Sequence, residues 1–73
     1  MLELWTAAFA EQTPRDLTER INRFRRQVDA SERGAGGDAP FVEGVTYVTA
    51  SAGAGAVLVA FVDYFAEEKL MPE

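Results

Sequence analysis

Residues 13–28 read Thr-Pro-Arg-Asp-Leu-Thr-Glu-Arg-Ile-Asn-Arg-Phe-Arg-Arg-Gln-Val, and this stretch decides the fold class. Thr13 suits an N-cap, because its hydroxyl can accept a hydrogen bond from a free amide of the first turn. Pro14 fits the first helical position, where its missing N–H costs nothing. Apolar residues then recur at helical spacing. We therefore predict a helix from about Pro14 to Ser31, with one narrow apolar stripe formed by Leu17, Ile21, Phe24 and Val28.

The segments on either side of this helix have the composition of loops and strands. Glycines and Pro40 in the segment 33–40 predict a flexible loop. Residues 41–51 and 56–65 are rich in Val, Thr, Tyr and Phe, and the small residues 52–55 separate them. This pattern predicts two antiparallel strands joined by a hairpin.

The N-terminal segment 2–9 is predicted to form a third strand. A helix is the alternative there, because Leu2, Trp5 and Phe9 also fit a helical stripe. The predicted fold class is α+β, with elements in the order βαββ. It consists of a three-stranded antiparallel sheet with one amphipathic helix packed on one face, in a single domain of residues 1–73.

The composition excludes several kinds of chemistry. The chain has no cysteine and no histidine, so disulfides, zinc sites with these ligands, and Ser-His-Asp or Cys-His catalysis are impossible. Neither Gly53-Ala54-Gly55 nor Gly34-Ala35-Gly36-Gly37 completes a dinucleotide or phosphate-loop motif. We therefore expect a protein that is not an enzyme, with no catalytic residue, no metal site and no cofactor.

Charge is distributed unevenly along the chain. The net charge is −5, yet all six arginines lie between Arg15 and Arg33. Overall acidity argues against direct nucleic-acid binding. Arg20, Arg23, Arg25 and Arg26 could form a cationic face for an acidic partner, although a solvated helix face with ion pairs is the simpler interpretation. Met1 is followed directly by Leu-Glu-Leu-Trp, without the features of a signal peptide, so we expect a cytoplasmic protein.

The junction between the first strand and the helix resembles a family of very small sporulation-associated proteins of Gram-positive bacteria. The matching residues are Phe9, a short polar loop through Gln12, and then Asp16-Leu17-x-x-x-Ile21-Asn22-x-Phe24. The resemblance implies one strand, one helix and a closing hairpin, and it implies no activity. The order of elements is also similar to that of dodecins, which bind flavin on a tryptophan of the second strand. The only tryptophan here is Trp5, so that site is not carried over.

The segment 44–62 contains 19 residues without a charge. Its mean hydropathy is roughly 1.7, near the level used to identify membrane spans, and its length suits a bilayer. A single membrane-spanning helix at 44–62 is therefore an alternative. The glycines, threonines and small-residue centre favour the hairpin, so we consider a membrane protein the weaker prediction.

The last strand is apolar on both faces, which is the basis of the functional prediction. One helix can cover only one face of a three-stranded sheet, so an apolar face is left for a partner. We predict a non-catalytic protein-interaction module that is homo-oligomeric or bound to a larger protein. A small phage or mobile-element effector that inhibits a host protein is the alternative. The residues predicted at the interface are Leu58, Ala60, Val62 and Tyr64, and the two faces could be exchanged.

Overall fold

The computed structural model describes residues 1–31, 37–53 and 55–73, and within them the chain forms three strands and one helix. Strand β1 spans Glu3–Glu11, helix α1 spans Pro14–Ala30, strand β2 spans Phe41–Ala52 and strand β3 spans Gly55–Ala66. The strands form one antiparallel sheet in the order β1-β3-β2. The predicted βαββ arrangement is confirmed, and β3 is its central strand.

Helix α1 begins and ends where its sequence indicates. The Thr13 side chain accepts a hydrogen bond from the Asp16 N–H at 3.2 Å. At the other end, the Ser31 N–H donates to the carbonyl oxygen of Val28 at 3.1 Å. All four residues of the predicted apolar stripe are buried. The stripe therefore fixes which side of the helix contacts the sheet.

Segment 2–9, predicted as a strand, lies within β1 except for its first residue. The alternative of a membrane-spanning helix at 44–62 is wrong, because this segment supplies β2 and β3. The chain turns between them at Gly53, whose φ of 60° is a conformation that glycine adopts without steric cost. No helix among the described residues is long and apolar enough to cross a membrane. Of the predicted loop 33–40, residues 33–36 lie outside the described part, and residues 37–40 form neither helix nor strand.

The core lies between α1 and one face of the sheet. The Phe24 ring lies at its centre, with ring centroids 5.4 Å from Phe9 of β1 and 5.2 Å from Tyr64 of β3. These tilted and edge-on contacts are the geometries that aromatic pairs prefer. Ala60 of β3 is fully buried and leaves room for the helix to approach the central strand. The buried core residues are Ala7, Phe9, Leu17, Ile21, Phe24, Val28, Ala60, Val62, Tyr64 and Ala66.

The C-terminal tail closes one end of this core. Leu70 packs against the core, and the Gln27 side chain on α1 binds the tail twice. Its Nε2 donates to the Met71 carbonyl oxygen at 2.6 Å, and its Oε1 accepts from the Glu73 N–H at 3.1 Å. Polar contacts thus hold the tail to the helix.

The opposite end of the molecule is a two-stranded extension. β1 ends at Glu11, which pairs with Leu58, whereas β2 and β3 continue to the turn at Gly53. The molecule is 47 Å long and 18 by 16 Å in cross-section, and this hairpin extension accounts for part of its length. The sheet is therefore longer than the helix that covers it.

Candidate functional site

The sheet face turned away from α1 is the candidate functional site, and we call it the open face. Successive residues of a strand point to opposite faces, so the buried residues of β3 identify the residues between them as outward-facing. The strand register then assigns their neighbours on β1 and β2 to the same face. The open face consists of Leu4, Thr6, Ala8 and Ala10 on β1, Val57, Val59, Phe61, Asp63 and Phe65 on β3, and Phe41, Gly44, Thr46, Val48 and Ala50 on β2.

Large apolar side chains on this face are exposed to solvent. The exposed fraction is 57% for Leu4, 45% for Phe41, 46% for Val48 and 38% for Phe61. In the described part of the chain, no helix or strand covers these four residues. Single exposed apolar residues are ordinary, whereas several on one sheet face make that face the candidate for an interaction surface.

Side-chain size changes from one end of the open face to the other. At the C-terminal end of β3, Phe65 stacks on Phe41 of β2 with ring centroids 5.2 Å apart. Leu4 of β1 lies on the other side of Phe65. At the hairpin end, Val57 pairs only with Ala50. We call these the large-residue end and the small-residue end of the open face.

Phe61 lies at the middle of the open face. Its cross-strand neighbours are Ala8 on β1 and Thr46 on β2, both of which are smaller. The phenylalanine is therefore the largest side chain at the middle of this face, and it is exposed. An exposed aromatic side chain at the centre of an apolar face is the type of residue that anchors protein interfaces.

Asp63 is the one charged residue of the open face as defined above. Its Oδ1 accepts a hydrogen bond of 2.6 Å from the Thr6 hydroxyl on the neighbouring strand. The carboxylate is only partly buried, so water can still reach it. A partner that covered the face would remove that water, which makes Asp63 the residue most sensitive to what lies opposite it.

The residues predicted at an interface lie on the sheet face that α1 covers. Ala60, Val62 and Tyr64 are fully buried beneath α1, and Leu58 packs against the core beside them. The signal that could have identified the exposed face is Asp63, which alternates with these residues. If Val62 and Tyr64 pointed outward, Asp63 would lie under the helix as a buried carboxylate, which is costly.

The four arginines predicted to contact an acidic partner are not equivalent. Arg20 contacts its own chain: its Nη1 lies 2.9 Å from Glu11 Oε2, and its guanidinium lies 5.1 Å from the centroid of the Phe9 ring. Arg23, Arg25 and Arg26 are exposed and form no ion pair within residues 1–31, 37–53 and 55–73. The structure therefore separates Arg20, which has a structural contact, from three arginines in solvent.

Two of the depressions on the helix side of the molecule lie at the ends of α1. One, of about 460 Å³, separates the end of α1 from the tail and is lined by Arg23, Arg26, Gln27 and Glu73, among others. The other, of about 240 Å³, lies between the start of α1 and the sheet, with Leu17, Tyr47 and Leu58 in its wall. Both are open to solvent. Ser31 also lines the first depression, and its hydroxyl donates to the Gln27 carbonyl oxygen at 2.8 Å.

The acidic residues are also dispersed. Among the described residues, no group of three acidic side chains lies close enough to hold a metal ion. Fold and surface together define a small α+β protein with a helix on one sheet face and an exposed apolar surface on the other. Comparison of the chain with known protein families, with characterised proteins and with solved structures finds no match.

Proposed function

We propose that this protein is a non-catalytic interaction module that binds a second copy of itself through the open face. The observation that carries the proposal is the exposure of Phe61 at the centre of a flat, almost uncharged apolar surface. Packing two such sheets face to face would form an ordinary β-sandwich interface, with the helices on the outside.

The size of the chain supports association. A domain of about 70 residues buries only about 60% of the surface that its unfolded chain exposes, so a single core is marginal. This chain has no cysteine with which to form a disulfide. Burial of the open face would add apolar area to the folded state at roughly 25 cal/mol per Å².

The dimensions of the open face suit a small dimer interface. Three strands at about 4.8 Å spacing and about nine residues at about 3.4 Å rise give a footprint of roughly 15 by 30 Å on each copy. The accessible area of uneven side chains exceeds this flat footprint. Two copies would therefore bury on the order of 1,000 Å², near the lower limit for specific interfaces. We accordingly expect a dimer that dissociates on dilution.

The distribution of charge favours a second copy over a highly charged partner. The open face offers no cation to an acidic protein and only Asp63 to a basic one. Its affinity must therefore come from apolar contact with another flat apolar surface, and this chain itself provides one.

The test is a Phe61→Glu substitution, with Tyr47→Glu as the matched control. Both side chains are exposed aromatics on the same sheet, but Tyr47 lies on the face that α1 covers in part. A buried, unpaired glutamate in the interface should weaken association by about tenfold or more. Sedimentation equilibrium over a range of concentrations measures the mass, with circular dichroism confirming that both variants are folded.

The expected result is a wild-type mass that approaches twice the 8.0 kDa of one chain, lost in Phe61→Glu and retained in Tyr47→Glu. Phe61→Lys should behave like Phe61→Glu, which excludes simple repulsion between acidic chains as the cause. A wild-type protein that remains a monomer at all accessible concentrations would refute the proposal.

A further inference from the structure

We infer that the two copies pack with their β3 strands antiparallel, so that the large-residue end of each open face covers the small-residue end of the other. This inference rests on the proposed self-association. When two sheets pack with their strands aligned, the two-fold axis that relates them lies between them, either along the strands or across them. Only the axis across the strands gives the antiparallel arrangement.

The volumes of the side chains favour the axis across the strands. With this axis through Phe61, Phe65 lies over Val57 of the second copy and Phe41 lies over its Ala50. The two Phe61 side chains then meet on the axis, and on either side of it large residues face small ones, which is how two layers interdigitate at native packing density. The axis along the strands would place the large cluster on its own equivalent and leave a gap at the small-residue end.

The position of Asp63 favours the same arrangement. An axis along β3 would place Asp63 directly opposite Asp63 of the second copy, at a sheet separation of about 10 Å, inside an apolar interface. The axis across the strands places each Asp63 opposite Val59 instead. The two carboxylates are then about 14 Å apart along the strands, because about four residues separate them at about 3.4 Å per residue.

The other acidic residues lead to the same conclusion. Glu3, Glu43, Glu67 and Glu68 belong to the large-residue end, whereas Glu11, which lies on β1 near the small-residue end, is paired with Arg20. The antiparallel arrangement separates the acidic ends by most of the length of the sheet, beyond the Debye length of about 8 Å at physiological ionic strength. The parallel arrangement would stack the two acidic ends on each other.

A distance measurement between spin labels tests the orientation. Because the chain contains no cysteine, Ser51→Cys provides a single attachment site on an exposed hairpin residue. Ser51 lies five residues beyond Thr46, the β2 neighbour of Phe61. At about 3.4 Å per residue, the antiparallel dimer places the two labels about 35–40 Å apart, whereas the parallel dimer places them about 25 Å apart. Pulsed electron paramagnetic resonance resolves this difference.

Ala56→Cys repeats the measurement on the residue paired with Ser51, in case the first variant folds poorly. A dominant distance of about 35–40 Å in both variants supports the antiparallel dimer. A dominant distance near about 25 Å in a protein that is dimeric by sedimentation overturns the orientation and leaves the proposed self-association intact. A labelled protein that stays monomeric, together with a monomeric wild type, overturns both.

Discussion

The Tyr64 hydroxyl and the Leu70 backbone form a reciprocal pair of hydrogen bonds. The Leu70 N–H donates to the hydroxyl oxygen at 3.0 Å, and the hydroxyl donates to the Leu70 carbonyl oxygen at 3.4 Å. Tyr64 is fully buried in the core, where its ring contacts Phe24. One side chain thus contributes apolar contact to the core and also holds the C-terminal tail against it.

Removing this hydroxyl should destabilise the protein without changing its fold. We expect Tyr64→Phe to lower the free energy of unfolding by about 1–2 kcal/mol, because the Leu70 N–H loses its partner in a partly buried place. Urea denaturation of both proteins measures the difference. Tyr47→Phe is the control, because the Tyr47 hydroxyl forms no hydrogen bond in the described part of the chain. An equal decrease in the free energy of unfolding in the two variants would contradict the role assigned to the Tyr64 hydroxyl.

Arg20 and Arg23 should differ in their effect on stability although both are arginines of α1. Arg20→Ala removes the ion pair with Glu11 and the contact with the Phe9 ring, at a cost of about 1 kcal/mol. Arg23→Ala removes an exposed side chain without an ion pair in the described ranges, so its effect should stay within about 0.5 kcal/mol. Thermal unfolding at matched protein concentration compares the stability of the two variants. If Arg23→Ala lost more stability than Arg20→Ala, the structural role assigned to Arg20 would be wrong.

Much of the fold is predictable from local signals in the sequence. The cap at Thr13, Pro14 and the apolar stripe fix the helix, and β-branched residues around a small-residue centre fix the hairpin. The order of the strands is harder to predict from sequence, because β1 could pair with either strand of the hairpin. The helix that follows β1 brings it beside β3, and this is a tertiary outcome that no local pattern encodes.

The orientation of β3 shows where sequence reasoning failed. Both alternating sets of its residues are apolar, so hydrophobic periodicity alone does not distinguish the covered face from the open one. Packing decides in favour of Ala60, Val62 and Tyr64, whose sizes fit around the Phe24 ring. The single charge at Asp63 indicated the same choice. The exposed residues of the candidate site follow from that choice through the strand register.

Neutralising Asp63 should strengthen self-association. Asp63→Asn removes a charge that the second copy would shield from water, while the amide oxygen can still accept the hydrogen bond from Thr6. We expect the dissociation constant to fall by about threefold to tenfold, measured by isothermal dilution calorimetry. The control, Glu68→Gln, also removes one negative charge, but from an exposed position outside the open face. It should change the dissociation constant by less than about twofold. An unchanged constant in Asp63→Asn would show that the carboxylate stays in water.

A lysine at position 59 should make the Asp63 carboxylate favourable to self-association, whereas in the wild type that carboxylate weakens it. Within one chain, Val59 and Asp63 are four residues apart on β3, about 14 Å along the strand, so a lysine at 59 gains little from the Asp63 of its own chain. In the antiparallel dimer, the same lysine lies opposite Asp63 of the second copy. The Val59→Lys variant should therefore dimerise about threefold to tenfold more tightly than the double variant Val59→Lys/Asp63→Asn, which lacks that carboxylate.

With valine at position 59, by contrast, Asp63→Asn should tighten the dimer. A double-mutant cycle therefore measures the coupling between residues 59 and 63 directly. The four proteins are the wild type, Asp63→Asn, Val59→Lys and the double variant, and each dissociation constant comes from sedimentation equilibrium. The coupling should weaken at high salt, because it arises from charge. If Asp63→Asn strengthens association to the same extent with valine or lysine at position 59, these residues do not meet across the interface. The antiparallel arrangement would then be wrong, although the open face could still bind a second copy.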